Sequence, residues 1–443
     1  PDDRFHTTPR AMPTDMVAEL VAAFGTAAGR YRAAGLDGAE ILASHGLLAA
    51  QFLNPRVNRR EDRYGGSFDN RLRFLRESLA AARAAMGREM LLGIRISADE
   101  MEDGGLTSAE VIDICQGLAA HGDLDYLNVT AGSMAGLAGS VHVVPPMQIA
   151  HGYVAPLAAA MKAAVSLPVF VAGRLYQPQI AEGILAAGQA DLCGMTRAMI
   201  ADPEMPNKAR QGRLDDIRAC IGCNQACIGH MQMGVGISCI QHPESGRERT
   251  YGSLPPTRVR KRVLVAGGGP AGMKAAAVAA ARGHRVVLCE AGAQLGGQVL
   301  LAQALPGRAE FGGLITNLAR EMDLAGVEVR LRQPVDAALV AAEAPEAVIL
   351  ATGAQPREAQ VEGRAEAHVL EAWQILRGEA NPGQRVVVAD WRSDWVGLGL
   401  AEKLAIDGCH VRLAVNGPHA CLLYTSDAAD DLRQGWVAGG GGG

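Results

Sequence analysis

Residues 261–290 read KRVLVAGGGPAGMKAAAVAAARGHRVVLCE, and they set the architecture of the second half of the chain. An apolar run is followed by a glycine turn, an alanine-rich helical segment and a second apolar run. Gly267, Gly269 and Gly272 form GxGxxG, in which residues without Cβ atoms let backbone amides approach a pyrophosphate at a helix N-terminus. Glu290 ends the second run about twenty residues on, where its carboxylate can accept from a ribose hydroxyl. The pattern predicts a dinucleotide site.

Further glycine turns downstream favour FAD as the dinucleotide. LGGQ at 295–298 contributes Gly297 and Gln298, and AVILATGAQPR at 347–357 adds another glycine after an apolar run. We therefore predict a doubly wound, FAD-binding, Rossmann-like domain over 261–380, with NAD(P)H as a second nucleotide it could use.

A nested unit begins after this domain. Residues 384–415 again predict strand, turn, helix and strand, and we assign 381–420 to the start of a second nucleotide-binding unit. The first two glycines of the fingerprint are missing, and Asp390, Trp391 and Arg392 stand there instead. Such side chains would crowd a pyrophosphate, so we expect this unit to be structural.

Four cysteines lie upstream of the glycine-rich domain, in the segment 216–260. Cys220, Cys223, Cys227 and Cys239 have the spacing C-x2-C-x3-C-x11-C. Zinc sites favour paired CxxC knuckles, and a second CxxC is absent here, so ligation of a 4Fe-4S cluster fits better than zinc. Unliganded thiols are the third alternative.

The first half of the chain alternates strand-like and helical patterns. Strands are predicted at 39–45, 91–97, 125–131, 167–173 and 190–197, and helices near 15–34, 69–86, 108–120, 155–164 and 178–187. Thr14 is the expected N-cap of the first helix. Repeated βα units imply parallel strands. We predict that 1–215 is the C-terminal portion of a TIM (β/α)8 barrel, with about three units missing at the front. An open sheet is the alternative.

Composition excludes several classes of function. The chain has 443 residues, 49% hydrophobic and 20% charged, with a formal net charge of −5. These values give no indication of nucleic acid or a membrane as a partner. Nine cysteines, four of them clustered, indicate a reducing compartment, so we expect a cytoplasmic protein. The expected partner is a small-molecule substrate, and an electron-transfer partner and a homo-oligomer stay open. Residues 421–443 lack periodicity, and we expect them to be a non-native tail on a fragment.

These features together resemble a known family. QFLNPRVNRREDRYGGSFDNRLRF at 51–74, the arginine-bearing strands, CIGCNQAC and GGGPAG are similar to the iron–sulfur class of old yellow enzyme-type NADH:flavin oxidoreductases. This class is the 2,4-dienoyl-CoA reductase and trimethylamine dehydrogenase family. The resemblance covers about 20–420 and implies FMN in the barrel, a 4Fe-4S cluster and FAD.

The resemblance also implies roles for individual residues. Arg95 matches the arginine near flavin N1 and O2, where a cation stabilises reduced flavin. The residues that match the FMN phosphate site are Arg174, Gly194, Met195 and Arg197.

His45, in ASHGLL, matches the catalytic histidine that faces the flavin in amine-oxidising members. Leu47 stands where dienoyl-CoA reductases carry a tyrosine proton donor, and Leu42 stands where trimethylamine dehydrogenase has its tyrosine. His142, His151 and Tyr153 are candidate replacement acids.

Two activities follow from this resemblance. In the first, NAD(P)H reduces an activated C=C bond through FAD, the cluster and FMN. In the second, a small methylated amine or betaine is oxidatively N-demethylated, a reaction that needs no acid at Leu47. A non-catalytic electron-transfer module is the alternative from another class.

Overall fold

The computed structural model describes residues 10–357, 362, 367–392, 394–415, 420–421 and 434–435. The chain divides into two units, the main part of the first ending at Thr196 and the second beginning at Arg197. Most of the predicted tail lies outside the described residues. The domain boundaries drawn from the sequence stay predictions.

The first unit is built on a parallel sheet whose strands are hydrogen-bonded in chain order. Its strands are β1 (Gly38–Ala43), β2 (Leu91–Ser97), β3 (Tyr126–Thr130), β4 (Val169–Ala172) and β5 (Leu192–Gly194). An open doubly wound sheet reorders its strands around the first one, whereas consecutive order is the arrangement of a (β/α)8 barrel wall. The strand order therefore favours the barrel portion over the open-sheet alternative.

Helices connect these strands, and all five predicted helices are present. They are α1 (Thr14–Ala33), α2 (Leu48–Leu53), α3 (Phe68–Met86), α4 (Ser108–Ala119), α5 (Leu137–Ser140), α6 (Ala155–Ala164) and α7 (Pro178–Ala186), whereas α8 (Thr196–Ala201) starts at the last residue before the boundary and belongs otherwise to the second unit. Helix α4 starts with a capping box between Thr107 and Glu110, which satisfies backbone donors at its first turn. Apolar strand and helix side chains form one core, in which the rings of Phe52 and Phe74 stack 4.4 Å apart.

The expected N-cap of α1 is wrong. Pro13 occupies the cap position, and Thr14 is the first helical residue, without a side-chain cap bond. The Thr14 hydroxyl instead donates to Asp62 Oδ2 at 3.1 Å. A proline side chain has no hydrogen-bond acceptor, so the first-turn amides of α1 receive no side-chain cap.

The second unit contains the remaining elements, most of which precede or surround two parallel sheets. Its helices are α9 (Met205–Arg210), α10 (His230–Gln232), α11 (Glu248–Tyr251), α12 (Pro270–Ala281), α13 (Val299–Ala302), α14 (Gly312–Ala325), α15 (Ala337–Glu343), α16 (Ala372–Leu376) and α17 (Trp395–Ile406). Its strands are β6 (Arg262–Ala266), β7 (Arg285–Cys289), β8 (Glu328–Arg330), β9 (Ala347–Leu350), β10 (Arg385–Asp390), β11 (His410–Val415), β12 (Ala420–Cys421) and β13 (Gln434–Gly435).

The larger sheet of this unit has the order β8-β7-β6-β9. Strand β6 is central, so a turn that follows it lies at the point where the strand order reverses, the usual place for a nucleotide. Strands β10 and β11 form a separate parallel pair joined by α17. This confirms the strand, turn, helix and strand predicted over 384–415. Of the helices described, none combines the length and apolarity that crossing a bilayer requires.

Candidate functional site

His45 lies just beyond the carboxyl end of β1, in a left-handed backbone conformation with φ 61°. Its backbone N–H donates to Ser97 Oγ at 3.0 Å, and its Nδ1 lies 3.4 Å from Gly132 O. A carbonyl oxygen only accepts, so Nδ1 carries a proton in this contact. A neutral His45 ring therefore presents Nε2 as an acceptor.

The surroundings of His45 favour the neutral ring. Burial is the largest cause and the positive charge of Arg95 the second, and together they lower the pKa of His45 to about 4, against the opposing effect of the Gly132 carbonyl. His45 is 8% exposed. At neutral pH it can accept a proton or a hydrogen bond, but it holds no imidazolium proton to give.

Arg95 lies on β2, the neighbour of β1. Burial lowers the pKa of its guanidinium, and the carboxylate of Glu40 opposes that effect. An arginine stays charged under such perturbation because its intrinsic pKa is so high. The structure therefore brings a fixed cation and a neutral imidazole together at the carboxyl end of two adjacent strands. Their roles toward FMN stay predictions.

The four residues assigned to the FMN phosphate do not share one environment. Arg174 is buried, its Nη2 donates to Met147 O at 3.0 Å, and its guanidinium lies 5.5 Å from the centre of the Tyr176 ring. Gly194 ends β5, and Met195 packs against the core of the first unit. Arg197 lines the pocket of the four cysteines, and the roles of these four residues toward the FMN phosphate stay predictions.

The candidate replacement acids are engaged within the loop after β3. Tyr153 donates its hydroxyl proton to His142 O at 2.8 Å, and their rings lie 5.3 Å apart. Burial lowers the pKa of His142, and Asp99 opposes the effect. The His151 ring meets Tyr176 edge-on at 5.5 Å. A lowered pKa makes His142 a weaker source of protons at neutral pH.

Cys220, Cys223, Cys227 and Cys239 line a single pocket in the second unit. The remaining lining is mostly apolar: Arg197, Ile200, Ile221, Asn224, Ala226, Ile240 and Gln241. Cys227 lies in a π-helical turn, Gln225–Gly229. Such turns are rare and occur often at functional sites. The structure thus gathers all four thiols of the predicted ligand set.

The chemistry of this thiol set fits an iron–sulfur cluster. Burial is the largest cause that raises the pKa of Cys220, to about 12, and it also raises the pKa of Cys223 and Cys227. Buried thiols of this kind are poor nucleophiles on their own, and a metal removes their protons on coordination.

Zinc and a cubane cluster need different spacings of the four sulfurs. A tetrahedral Zn²⁺ with bonds of about 2.3 Å needs sulfurs about 3.8 Å apart. In the described part of the chain, no three His, Cys, Asp or Glu side chains are placed to hold one metal ion. A cubane binds each thiolate through a different iron, so its ligands surround a larger volume.

Three glycine turns converge beside β6, as a flavin dinucleotide requires. A Cβ at Gly267 would clash with Ala351 O, and a Cβ at Gly272 would clash with Gly267 O. A Cβ at Gly297 would come 3.1 Å from Gly269 Cα. Gly269 is the N-cap of α12, so the turn presents free backbone at that helix N-terminus. This cradle fits a pyrophosphate.

Glu290 and Gln298 hold these turns together. The Glu290 carboxylate accepts from the Gly268 and Gly292 amides, each at 2.6 Å. Gln298 Nε2 donates to Ala354 O at 3.2 Å. Contact of Glu290 with a ribose stays a prediction.

The nested unit has a different turn. Asp394 is the N-cap of α17, and its Oδ1 accepts from Val396 N–H at 3.0 Å. It therefore occupies the position that Gly269 holds on α12. Arg392 Nε pairs with Asp394 Oδ2 at 2.8 Å, and a Cβ at Gly397 would clash with the Asp390 carboxylate. The chain's own carboxylates fill the region where a pyrophosphate would bind.

Sequence reasoning missed Asp394, Ser97, Gly132 and Asn224. The aspartate had a detectable signal, since it directly precedes the helix and an N-cap acceptor is expected there. Ser97 contacts His45 from the end of β2, Gly132 contacts it from the loop after β3, and Asn224 lies between two cysteines without a distinguishing pattern.

Two family descriptions match the chain. Residues 3–216 match the NADH:flavin oxidoreductase / NADH oxidase family, and residues 261–432 match the pyridine nucleotide-disulphide oxidoreductases.

Individual relatives agree with these matches. The chain is 38% identical to an NADH oxidase of Thermoanaerobacter brockii over 92% of this chain and 62% of the relative. It is 36% identical to an N,N-dimethylglycine/sarcosine dehydrogenase of Chromohalobacter salexigens over 98% of this chain and 62% of that one. A solved 2-naphthoyl-CoA reductase superposes with a TM-score of 0.87 at 31% identity, covering 94% of this chain and 62% of the reductase. The chain thus spans about three fifths of the length of the relatives it matches.

Proposed function

We propose that this chain is a flavin-dependent oxidoreductase of small molecules. The premise is that the chain belongs to the NADH:flavin oxidoreductase / NADH oxidase family and continues into a pyridine nucleotide-disulphide oxidoreductase domain. The main form of the proposal is reduction of an activated C=C bond at the expense of NAD(P)H. The observation that carries the redox function is the pocket lined by Cys220, Cys223, Cys227 and Cys239.

The residues that would hold each group follow from the fitted sites. The four thiols would ligate a 4Fe-4S cluster, the Gly267 and Gly297 turns would bind FAD, and Arg95 with the end of β5 would contact FMN. When bound, the flavins supply hydride exchange and the cluster supplies one-electron exchange.

The chain's own residues would prepare the substrate. Arg95 places a fixed positive charge at the carboxyl end of β2, where negative charge on a reduced ring would be stabilised. His45, held by Ser97 and Gly132, offers Nε2 to a substrate donor. Its buried position keeps that nitrogen unprotonated at neutral pH.

The redox proposal is tested by composition and by bleaching. Anaerobically purified protein should contain iron and acid-labile sulfide in about equal amounts, with two flavins. NADPH should bleach flavin and cluster absorbance if the reductase form holds. Zinc without iron or sulfide would refute the whole proposal. Flavin and cluster without any response to NADPH or to amines would leave an electron-transfer module.

A second function, oxidative N-demethylation of a small methylated amine or betaine, is favoured by the nested unit. Asp394 and Asp390 place two carboxylates at the start of α17, where a nicotinamide dinucleotide would need its pyrophosphate. Like charges repel, and the helix N-terminus is already capped. A neutral His45 also suits an amine, which must lose its proton before oxidation.

Asp394→Gly tests whether the nested unit excludes a nicotinamide dinucleotide, which is the observation that favours this second function. It removes the carboxylate from the helix N-terminus, while glycine in a cap position costs only a few tenths of a kcal/mol. We expect NADP⁺ affinity to rise by about tenfold, equivalent to about 1.4 kcal/mol. Glu402→Gln, which removes a carboxylate from the body of α17, is the matched control. Tight NADPH binding by the unaltered protein would refute the idea that the carboxylates exclude the dinucleotide from the nested unit.

A cytoplasmic location and an electron-transfer partner complete the proposal. All eight cysteines described with side chains are free thiols, which agrees with a reducing compartment. The predicted homo-oligomer has no support in the described chain.

A further inference from the structure

Arg197 matches the FMN phosphate site by resemblance, and its side chain also lines the pocket of the four cysteines. It is the second residue of α8, and Ile200, one turn later on the same helix face, lines the cysteine pocket with it. Both side chains therefore face the four thiols from the same helix.

A hydrogen bond fixes this direction. Arg197 Nη1 donates to Asn224 Oδ1 at 2.7 Å. Asn224 is 2% exposed, and it has a left-handed backbone with φ 55°. Asparagine is among the few residues other than glycine that adopt this conformation readily. It connects Cys223 to the π-helical turn that carries Cys227, so the bond ties α8 to the ligand loop.

The charge of Arg197 lies at the wall of the pocket that all four thiols line. A guanidinium is permanently protonated and weakly hydrated, so it can stay charged in an apolar pocket.

We propose that Arg197, held by Asn224, is a positioning residue that raises the reduction potential of the cluster ligated by the four cysteines. This rests on the proposed redox function. One electron enters the cluster, supplied by reduced flavin, and no proton is taken up, so the site gains one negative charge. A nearby cation stabilises that additional charge, which is one of the ways a protein sets a cluster potential.

The test is an anaerobic potentiometric titration of the full chain with dithionite, followed by electron paramagnetic resonance of the reduced cluster. Arg197→Gln removes the charge, and we expect reduction to become at least tenfold less favourable, a fall of about 59 mV for one electron. Arg197→Lys keeps the charge and should shift the potential by less than half as much. Arg213→Gln, an exposed arginine paired with Asp216 outside the pocket, should leave it unchanged.

Asn224→Asp keeps the inference falsifiable if Arg197→Gln loses its cluster. The carboxylate would keep the contact with Arg197 and neutralise its charge. Reduction of the cluster should therefore again become at least tenfold less favourable, a fall of about 59 mV in its potential. Unchanged potentials in both variants, with normal iron content, would overturn the proposal. A lower FMN content without a potential shift would return Arg197 to phosphate binding. Absence of iron and sulfide from the unaltered protein would instead sink the proposed function.

Discussion

The pKa of His45 predicts how acid should weaken the first unit. The folded ring titrates at about 4 because it is buried and faces Arg95, whereas an unfolded histidine titrates near 6.5. Between these values the unfolded chain binds more protons than the folded chain. The free energy of unfolding therefore rises with pH through this window and is lost as pH falls.

The size of the effect follows from the two pKa values. Each unit of displacement is worth about 1.36 kcal/mol, so the full difference is about 3.4 kcal/mol, and about 2.4 kcal/mol of it falls between pH 7 and pH 4.5. His45→Asn removes the titrating group and suits the left-handed backbone there. Its unfolding free energy should fall by about 2.4 kcal/mol less on acidification than that of the unaltered protein.

Hydrogen exchange can measure this in the first unit alone. Peptides covering β1 and β2 report local opening around His45. Tryptophan fluorescence would not, because all four tryptophans belong to later parts of the sequence. Protection factors of these peptides would be compared at pH 7 and pH 4.5 after correction for intrinsic exchange. If both proteins lost protection in parallel, the depressed pKa of His45 would be wrong. His121→Asn, a histidine in the loop after α4, is the control.

Four more predictions concern packing and ligation. Gly272→Ala should cost about 1–3 kcal/mol of stability because its Cβ clashes with a backbone carbonyl, and should empty the FAD site on desalting. Gly183→Ala, in an open helical position, should gain about 1 kcal/mol in thermal unfolding. Cys239→Ser should lower the iron content measured by colorimetry, whereas Cys409→Ser, outside the pocket, should not. Arg83→Met should cost about 1–3 kcal/mol in urea unfolding because it removes the donor to the carbonyls of Met90 and Asp123, while Asp125 keeps the Leu92 amide.

The strands and helices of the described chain could be predicted from periodicity because they depend on local alternation. All five strands of the first unit appear within three residues of the predicted bounds, and 91–97 coincides with β2. Loop-borne helices such as α2 were not predicted, since they are only six residues long and have no amphipathic period. Strand order also needed the structure, because pairing joins residues far apart in sequence.

Thr14 shows how a local rule fails when a distant partner competes. A threonine before an apolar periodic segment is a reasonable N-cap. Asp62 lies 48 residues away in sequence, and nothing near Thr14 indicates that its carboxylate will accept the hydroxyl proton. The helix boundary moved by only one residue, but the role of the side chain changed completely.

Glycines and arginines differ in how far their function can be predicted from sequence, and the reason is geometric. Gly267 and Gly272 matter because a Cβ is absent, a property fixed by the backbone turn that the pattern itself encodes. Arg174 and Arg197 carry flexible side chains that can point to either side of their elements, so their partners depend on loops elsewhere. Arg174 turns to Met147 and Arg197 to Asn224. The sequence positions of both arginines match a phosphate site, and only the structure reveals that Arg197 also lies at the pocket of the four thiols.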